Sequence, residues 1–146
     1  QRAPEDVDGL LRDTLRLAQL DPMARKRRFV TEFRAGRTAQ LDRHALYQVV
    51  LNLLRNAMQA TREGGLIQLR SQVARDRVVI EVQDDGAGVP DEIRDRLFEP
   101  FFTTKGDQGT GLGLRVSRIA VERHGGKLEC ISEPMRGATF RVLLPL

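Results

Sequence analysis

The sequence predicts an α+β two-layer sandwich, a mixed five-stranded sheet covered on one face by about three helices. Five strand-length apolar segments lie near 27–34, 66–73, 77–83, 127–132 and 138–144. Longer stretches, 5–20 and about 42–61, carry apolar residues at helical spacing, and a further helix runs from about Leu112 to His124. The resulting order is helix, strand, helix, strand, strand, helix, helix, strand, strand, which lacks the regular alternation of a doubly wound sheet. A length of 146 residues fits a single domain, 1–146, with enough chain to bury a core.

Each element has a local cause. Val7, Leu10, Leu11, Leu15 and Leu17 place the first helix in 5–20, and Asp21-Pro22 stops it. The strand at 27–34 puts Phe29 and Phe33 on one face. Asp42 is the predicted N-cap of a helix reaching about Thr61, with the apolar face Leu46, Val49, Val50, Leu53, Leu54 and Ala57. Gly64-Gly65 ends that segment, and Ala74 to Asp76 turns between the next two strands. Asp84 to Pro90 reads as a glycine turn, 91–97 as a short helix, and 98–111 as a long loop of the kind that usually carries function. Gly125 closes the helix from about Leu112 to His124, and the last two strands form a hairpin around Glu133 to Gly137.

Composition excludes several classes. A net charge of +4 attracts polyphosphates, but apart from Arg25-Lys26-Arg27-Arg28 the charge is scattered, and one tyrosine with no tryptophan leaves few stacking platforms for single-stranded nucleic acid. The basic cluster reads as a solvated strand edge or a contact for another domain. No apolar run reaches the length of a membrane span. The single cysteine, Cys130, cannot form an internal disulfide, fits a reducing cytosol, and lies in an apolar stretch as a small hydrophobe.

Four segments carry chemistry. Gln48, Asn52, Asn56 and Gln59 form a polar stripe along the second helix, where asparagine is a poor helix former. The stripe is either an exposed face or a row of amide oxygens facing a polar ligand, with Mg²⁺ a suitable hard ion. Asp84-Asp85-Gly86-Ala87-Gly88 is either an ordinary Asp-Gly turn or a pocket floor, in which a carboxylate accepts from an exocyclic amine and glycines allow close backbone approach. Gly109 to Gly113 opens a helix and can present N–H groups to phosphate, although it is neither a Walker A loop nor a dinucleotide fingerprint. Leu97 to Lys105 holds three phenylalanines in a polar loop, which suits a satellite apolar cluster or a mobile lid, and Lys105 can reach a phosphate.

Together these segments resemble the ATP-binding domain of sensor histidine kinases, in the superfamily shared with gyrase, Hsp90 and the mismatch-repair ATPases. Asn52 to Ala57 matches the N box, Asp84-x-Gly86-x-Gly88 the G1 box, Phe98 to Phe102 the F box and Gly109 to Gly113 the G2 box. The resemblance extends from about Asp6 to the closing Gly137-Ala138-Thr139-Phe140 and Leu144-Pro145. It implies a Bergerat-type ATP-binding fold, with ATP and Mg²⁺ as cofactors. Asn56 would coordinate Mg²⁺ that bridges the phosphates, and Asn52 would assist the phosphoryl-accepting group. Asp84 would bind the adenine amine with Thr139 nearby, and Gly86 and Gly88 would shape the floor. Phe101, Lys105, Thr110, Gly111, Leu112 and Gly113 would complete the nucleotide site from the lid and the second glycine box. One departure is Gln59, where many relatives carry a basic residue; phosphate contact then falls to Arg55, Lys105 or Arg115.

The implied activity is transfer of the γ-phosphoryl group of ATP to a histidine, a two-component signalling reaction. The alternatives are a gyrase-type ATPase and a non-catalytic nucleotide-binding module. Asparagine at position 52 cannot act as the base that activates water, which disfavours the ATPase. Neither His44 nor His124 has the context of a phosphoacceptor, and His124 reads as a C-terminal helix cap. The resemblance therefore implies a separate dimerisation and phosphoacceptor domain of the same protein, with residues 1–5 the end of the linker to it, and a response regulator downstream. The expected fragment is monomeric and cytoplasmic, touching neither nucleic acid nor membrane, while a membrane anchor on the parent protein stays open.

Overall fold

The computed structural model of the chain describes residues 1–94, 96–99, 113–132 and 136–146. It contains β1 (Ala3–Asp6), α1 (Val7–Ala18), a 3-10 turn (Pro22–Lys26), β2 (Arg28–Phe33), β3 (Thr38–Leu41) and α2 (Arg43–Ala60). There follow β4 (Leu66–Ala74), β5 (Arg77–Asp84), α3 (Asp91–Arg94), α4 (Gly113–Arg123), β6 (Lys127–Ser132) and β7 (Ala138–Pro145). The main sheet runs β2-β4-β5-β7-β6. Its β2–β4 pair is parallel and the other three are antiparallel, which makes the sheet mixed.

One face of the sheet builds the core. Alternate residues of β4, β5 and β7, including Ile67, Leu69, Ile80, Val82, Val142 and Leu144, are buried under the helices, as the two-residue period of a strand requires. The opposite face is polar along its middle, where Glu81 of β5 pairs with Arg70 at 3.5 Å and Arg141 at 2.8 Å across its two neighbouring strands. α2 lies between α1 and α4 on the covered face, and its Leu46, Leu53, Leu54 and Met58 are fully enclosed. As predicted, Asp42 caps α2: its Oδ1 accepts from the Ala45 N–H at 3.1 Å.

Two strands escaped the sequence reading. β1 and β3 pair antiparallel as a separate ribbon at the edge of the helical layer. Each is only four residues long, too short for an alternating pattern to stand out. The first helix is also shorter than the expected 5–20, because residues 3–6 are spent on the ribbon and 19–20 form a turn. Likewise α3 spans Asp91–Arg94, and residues 96 and 97 of the expected 91–97 helix lie in a turn.

Two buried polar clusters lock these parts together. Asp8 on α1 accepts from Ser71 Oγ at 2.6 Å and from the Gly36 N–H at 2.9 Å, while Ser71 Oγ accepts from the backbone of Arg34 and Ala35. This ties α1 to the end of β2 and the interior of β4. His124 Nδ1 lies 2.8 Å from the carbonyl of Ala120, and its Nε2 accepts from the Asp42 N–H at 3.0 Å. The ring thereby joins the end of α4 to the start of α2. The expected cap role of His124 holds, with a second partner that only the tertiary structure supplies.

Three residues of the basic cluster bind at the other end of α2. Arg27 donates to the Thr61 carbonyl at 2.7 Å and to Thr61 Oγ1 at 3.2 Å, Arg28 to the Gly64 carbonyl, and Lys26 pairs with Glu63 at 3.1 Å. Of these, Arg27 satisfies the carbonyl of Thr61, the C-cap of α2, while Arg28 and Lys26 hold the turn that follows it. The cluster sits at the outer edge strand of the sheet, in keeping with its reading as a solvated edge.

Candidate functional site

The site forms where α2 crosses the ends of β5 and β7. A cavity of about 280 Å³ is lined by Asn56, Gln59 and Ala60 of α2, Asp84 of β5, Gly88 and Val89 of the following turn, and Ala138 and Phe140 of β7. Leu97 and Leu114 add apolar wall. The space has one apolar side and a carboxylate at its floor, the arrangement expected for a flat heteroaromatic ring bearing an amine.

Asp84 is buried with only 4% of its surface exposed, and its Oδ1 accepts from the Gly86 N–H at 2.9 Å. Burying a carboxylate is tolerable only when it is hydrogen-bonded, and the turn supplies that bond. Gly86 must be glycine, because a Cβ there would collide with the carbonyl of Ala60 on α2. Gly88 adopts φ +79°, in the left-handed region. Gly137, at φ +89°, passes so close to the Asp84 carbonyl that a side chain would not fit. Ser132 Oγ accepts from the Val89 N–H at 2.6 Å and donates to the Gly137 carbonyl at 3.1 Å, which holds the two loops beside the cavity.

Asn52 lies one turn before Asn56 on the same side of α2, half-buried, and its Nδ2 donates to Ser117 Oγ of α4 at 3.4 Å. Gly113 begins α4 against the Asn52 amide. Phe98, at the start of the predicted lid, is half-buried with the Arg118 guanidinium 5.3 Å from its ring centre. Thus α4 touches both the asparagine helix and Phe98. Cys130 lies in a neighbouring cleft with Arg94, Phe98, Arg118 and Leu128, and burial pushes its thiol up to about 11. It stays protonated at neutral pH, consistent with a small packing residue.

The structure thus brings together Asn56, Asp84 and Gly88, with Gly86 beneath and Asn52 and Gly113 alongside. Thr139 is not brought to the cavity. Asp84 pairs with Ala138, whereas Thr139 pairs with Gln83, and directly paired residues project from the same side of a sheet. Thr139 therefore shares the open face with Gln83, and the buried Ala138 takes the position beside Asp84. Phe101, Lys105, Thr110, Gly111 and Leu112 lie outside the described residues. Arg55 and Arg115 are both exposed and away from the cavity lining.

The lining residues that sequence reasoning missed are apolar, notably Ala138, Phe140 and Leu114. The alternation Ala138, Phe140, Val142, Leu144 was the available signal for the first two, because it puts them on the core side of β7. For Mg²⁺, the described residues hold no group of three or more acidic, histidine or cysteine ligands. The cavity's side-chain oxygens come from Asn56 and Gln59 of α2 and from Asp84, and such a sparse set fits an ion that arrives with most of its coordination supplied by phosphates and water.

Comparison with known proteins agrees with this geometry. Residues 41–146 match the family described as histidine kinase-, DNA gyrase B- and HSP90-like ATPase. The chain is 38% identical over 144 residues to the sensor histidine kinase ZraS of Escherichia coli, covering 97% of this chain and 30% of that protein. It is 42% identical over 108 residues to the alginate biosynthesis sensor protein KinB of Pseudomonas aeruginosa, covering 73% of this chain and 18% of that protein. The chain thus spans less than a third of the length of these relatives. Among solved structures, the catalytic domain of the histidine kinase ThkA superposes with a TM-score of 0.89 at 31% identity, over 99% of this chain and 95% of that one. Full-length ShkA in complex with AMPPNP gives a TM-score of 0.89 at 31% identity, over 99% of this chain and 31% of that one. Box order, sheet topology and cavity all lead to one assignment: the chain belongs to the histidine kinase-, DNA gyrase B- and HSP90-like ATPase family, as a catalytic domain of the histidine kinase type.

Proposed function

We propose that this chain binds Mg²⁺-ATP in the cavity between α2, β5 and β7 and transfers the γ-phosphoryl group to a histidine on a separate dimerisation hairpin. The observation that carries this reading is the meeting of Asn56 and buried Asp84 in one cavity with an apolar wall. Asp84 accepts a hydrogen bond from the exocyclic amine of adenine, while Ala138, Phe140 and Val89 cover the ring. The triphosphate extends along α2 toward the first turn of α4. Its N–H groups and the positive end of the helix dipole face the phosphates.

Mg²⁺, held by Asn56, would neutralise charge on the phosphates. The chain's own contribution is position: phosphoryl transfer needs alignment and charge stabilisation more than covalent chemistry. Asn52 assists the accepting group, and a carboxamide cannot take a proton from water, so the domain favours a protein acceptor over hydrolysis. Neither histidine of the chain suits as acceptor: His124 is committed to Ala120 and Asp42, and His44 sits exposed on the first turn of α2. The domain then acts as a cytoplasmic monomer, with a response regulator receiving the phosphoryl group afterwards.

The test is to mix this chain with a hairpin that carries a His followed by an acidic residue, Mg²⁺ and γ-labelled ATP. Acid-labile label on the hairpin histidine is expected. Tight ATP binding without label would make the chain a nucleotide-binding module, and free phosphate release abolished by Asn52→Ala would make it a gyrase-type ATPase.

A further inference from the structure

Ser117 is a buried polar group with no part in the reading above. It is 1% exposed in the middle of α4. A serine inside a helix commonly turns its hydroxyl to solvent or to the carbonyl one turn back. Among the described residues, Ser117 Oγ instead accepts from Asn52 Nδ2 on the neighbouring helix at 3.4 Å. One turn earlier on the same face of α4 lies Gly113, where a Cβ would come within 3.9 Å of the same nitrogen. Asn52 is therefore bracketed by two positions of α4, one supplying an acceptor and the other supplying room.

We propose that Ser117 is a positioning residue that fixes the carboxamide of Asn52. The proposal rests on the role of Asn52 in phosphoryl transfer given above. A carboxamide has a donor end and an acceptor end and is free to turn about its last torsion. Committing Nδ2 to α4 assigns the donor end, and leaves Oδ1 for the reacting group. It also makes the orientation of Asn52 depend on where α4 stands, and α4 is in turn held to Phe98 through Arg118. An exposed asparagine would need no such partner. Here the contact lies between two packed helices, so a small shift of α4 is passed directly to the amide.

The experiment uses Ser117→Ala, which favours the helix and removes only the hydroxyl, and Ser117→Thr, which restores it. In ¹⁵N spectra of the chain, the Asn52 side-chain amide pair is expected to shift and exchange faster with water in Ser117→Ala, while the Asn56 pair stays in place. ATP affinity is expected to change by less than about twofold, and label transfer to the hairpin to fall about three- to ten-fold, the scale of one lost neutral hydrogen bond. In an Asn52→Ala background, Ser117→Ala should have no further effect, and Ser117→Thr should recover transfer in the parent. An unmoved Asn52 resonance, or an equal loss of transfer in both backgrounds, overturns the proposal. A shifted resonance with Asn52→Ala itself silent in transfer sustains the contact and instead removes the role given to Asn52.

Discussion

Asn56 and Asp84 are close in space but have different chemical tasks, and substitutions separate them. Asp84→Asn keeps an oxygen to accept from the Gly86 N–H and removes the charge that would face an adenine amine. Its ATP affinity is expected to fall roughly tenfold or more, the scale of a charge-assisted hydrogen bond, with its Mg²⁺ dependence kept. Asn56→Ala should lose the Mg²⁺-dependent part of binding. Calorimetric titration of each variant with ATP, with and without Mg²⁺, reads this directly, and equal metal dependence in the two variants would refute the division of roles. Thr139 shows where residue-level reading misleads. The motif places it beside the adenine site, but the strand period turns it away and leaves Ala138 there.

At the scale of the element, α2 depends on its first turn. The hydrogen bond from the Ala45 N–H holds the Asp42 carboxyl below its ordinary value of 3.8, against a smaller opposing effect of partial burial. Because the folded value is depressed, the ionised cap stabilises the protein above pH of about 4 and this contribution is lost as pH falls through the lower folded value. Asp42→Asn, which caps without titrating, should flatten that part of the acid limb of a melting-temperature profile. Asp42→Ala should lower the melting temperature at neutral pH. An Asp42→Asn profile that still follows the parent through the acid limb would remove the cap from the account. The same residue's backbone N–H is held by His124, so the start of α2 and the end of α4 are fastened at one point.

At the scale of the molecule, the helical layer and the sheet share one continuous core, with α2 at its centre. Leu54 has no exposed surface, and its truncation leaves a void that its neighbours on either side cannot both close. Leu54→Ala is expected to cost about 2–5 kcal/mol, measured by urea unfolding; a cost under about 1 kcal/mol would show that the layers can settle into the space. Because α2 also carries Asn52 and Asn56, loosening this core should weaken ATP binding without any direct contact to the nucleotide. No helix among the described residues is long and apolar enough to cross a membrane.

The sequence alone determined the five strands of the main sheet, the three long helices, the Asp42 cap and the polar stripe of α2, because each is written in local spacing: a period of two, a period near 3.6, a capping residue, a glycine after a helix. It also determined the catalytic-domain family, because four boxes occur in order. Only the tertiary structure decided which strands neighbour each other, that four-residue β1 and β3 form a ribbon, and that Arg27 closes the end of α2. It alone placed Ala138 rather than Thr139 beside Asp84, and Ser117 against Asn52. These are pairings between residues far apart in the chain. Local spacing fixes which face a side chain takes, but only packing fixes what that face meets.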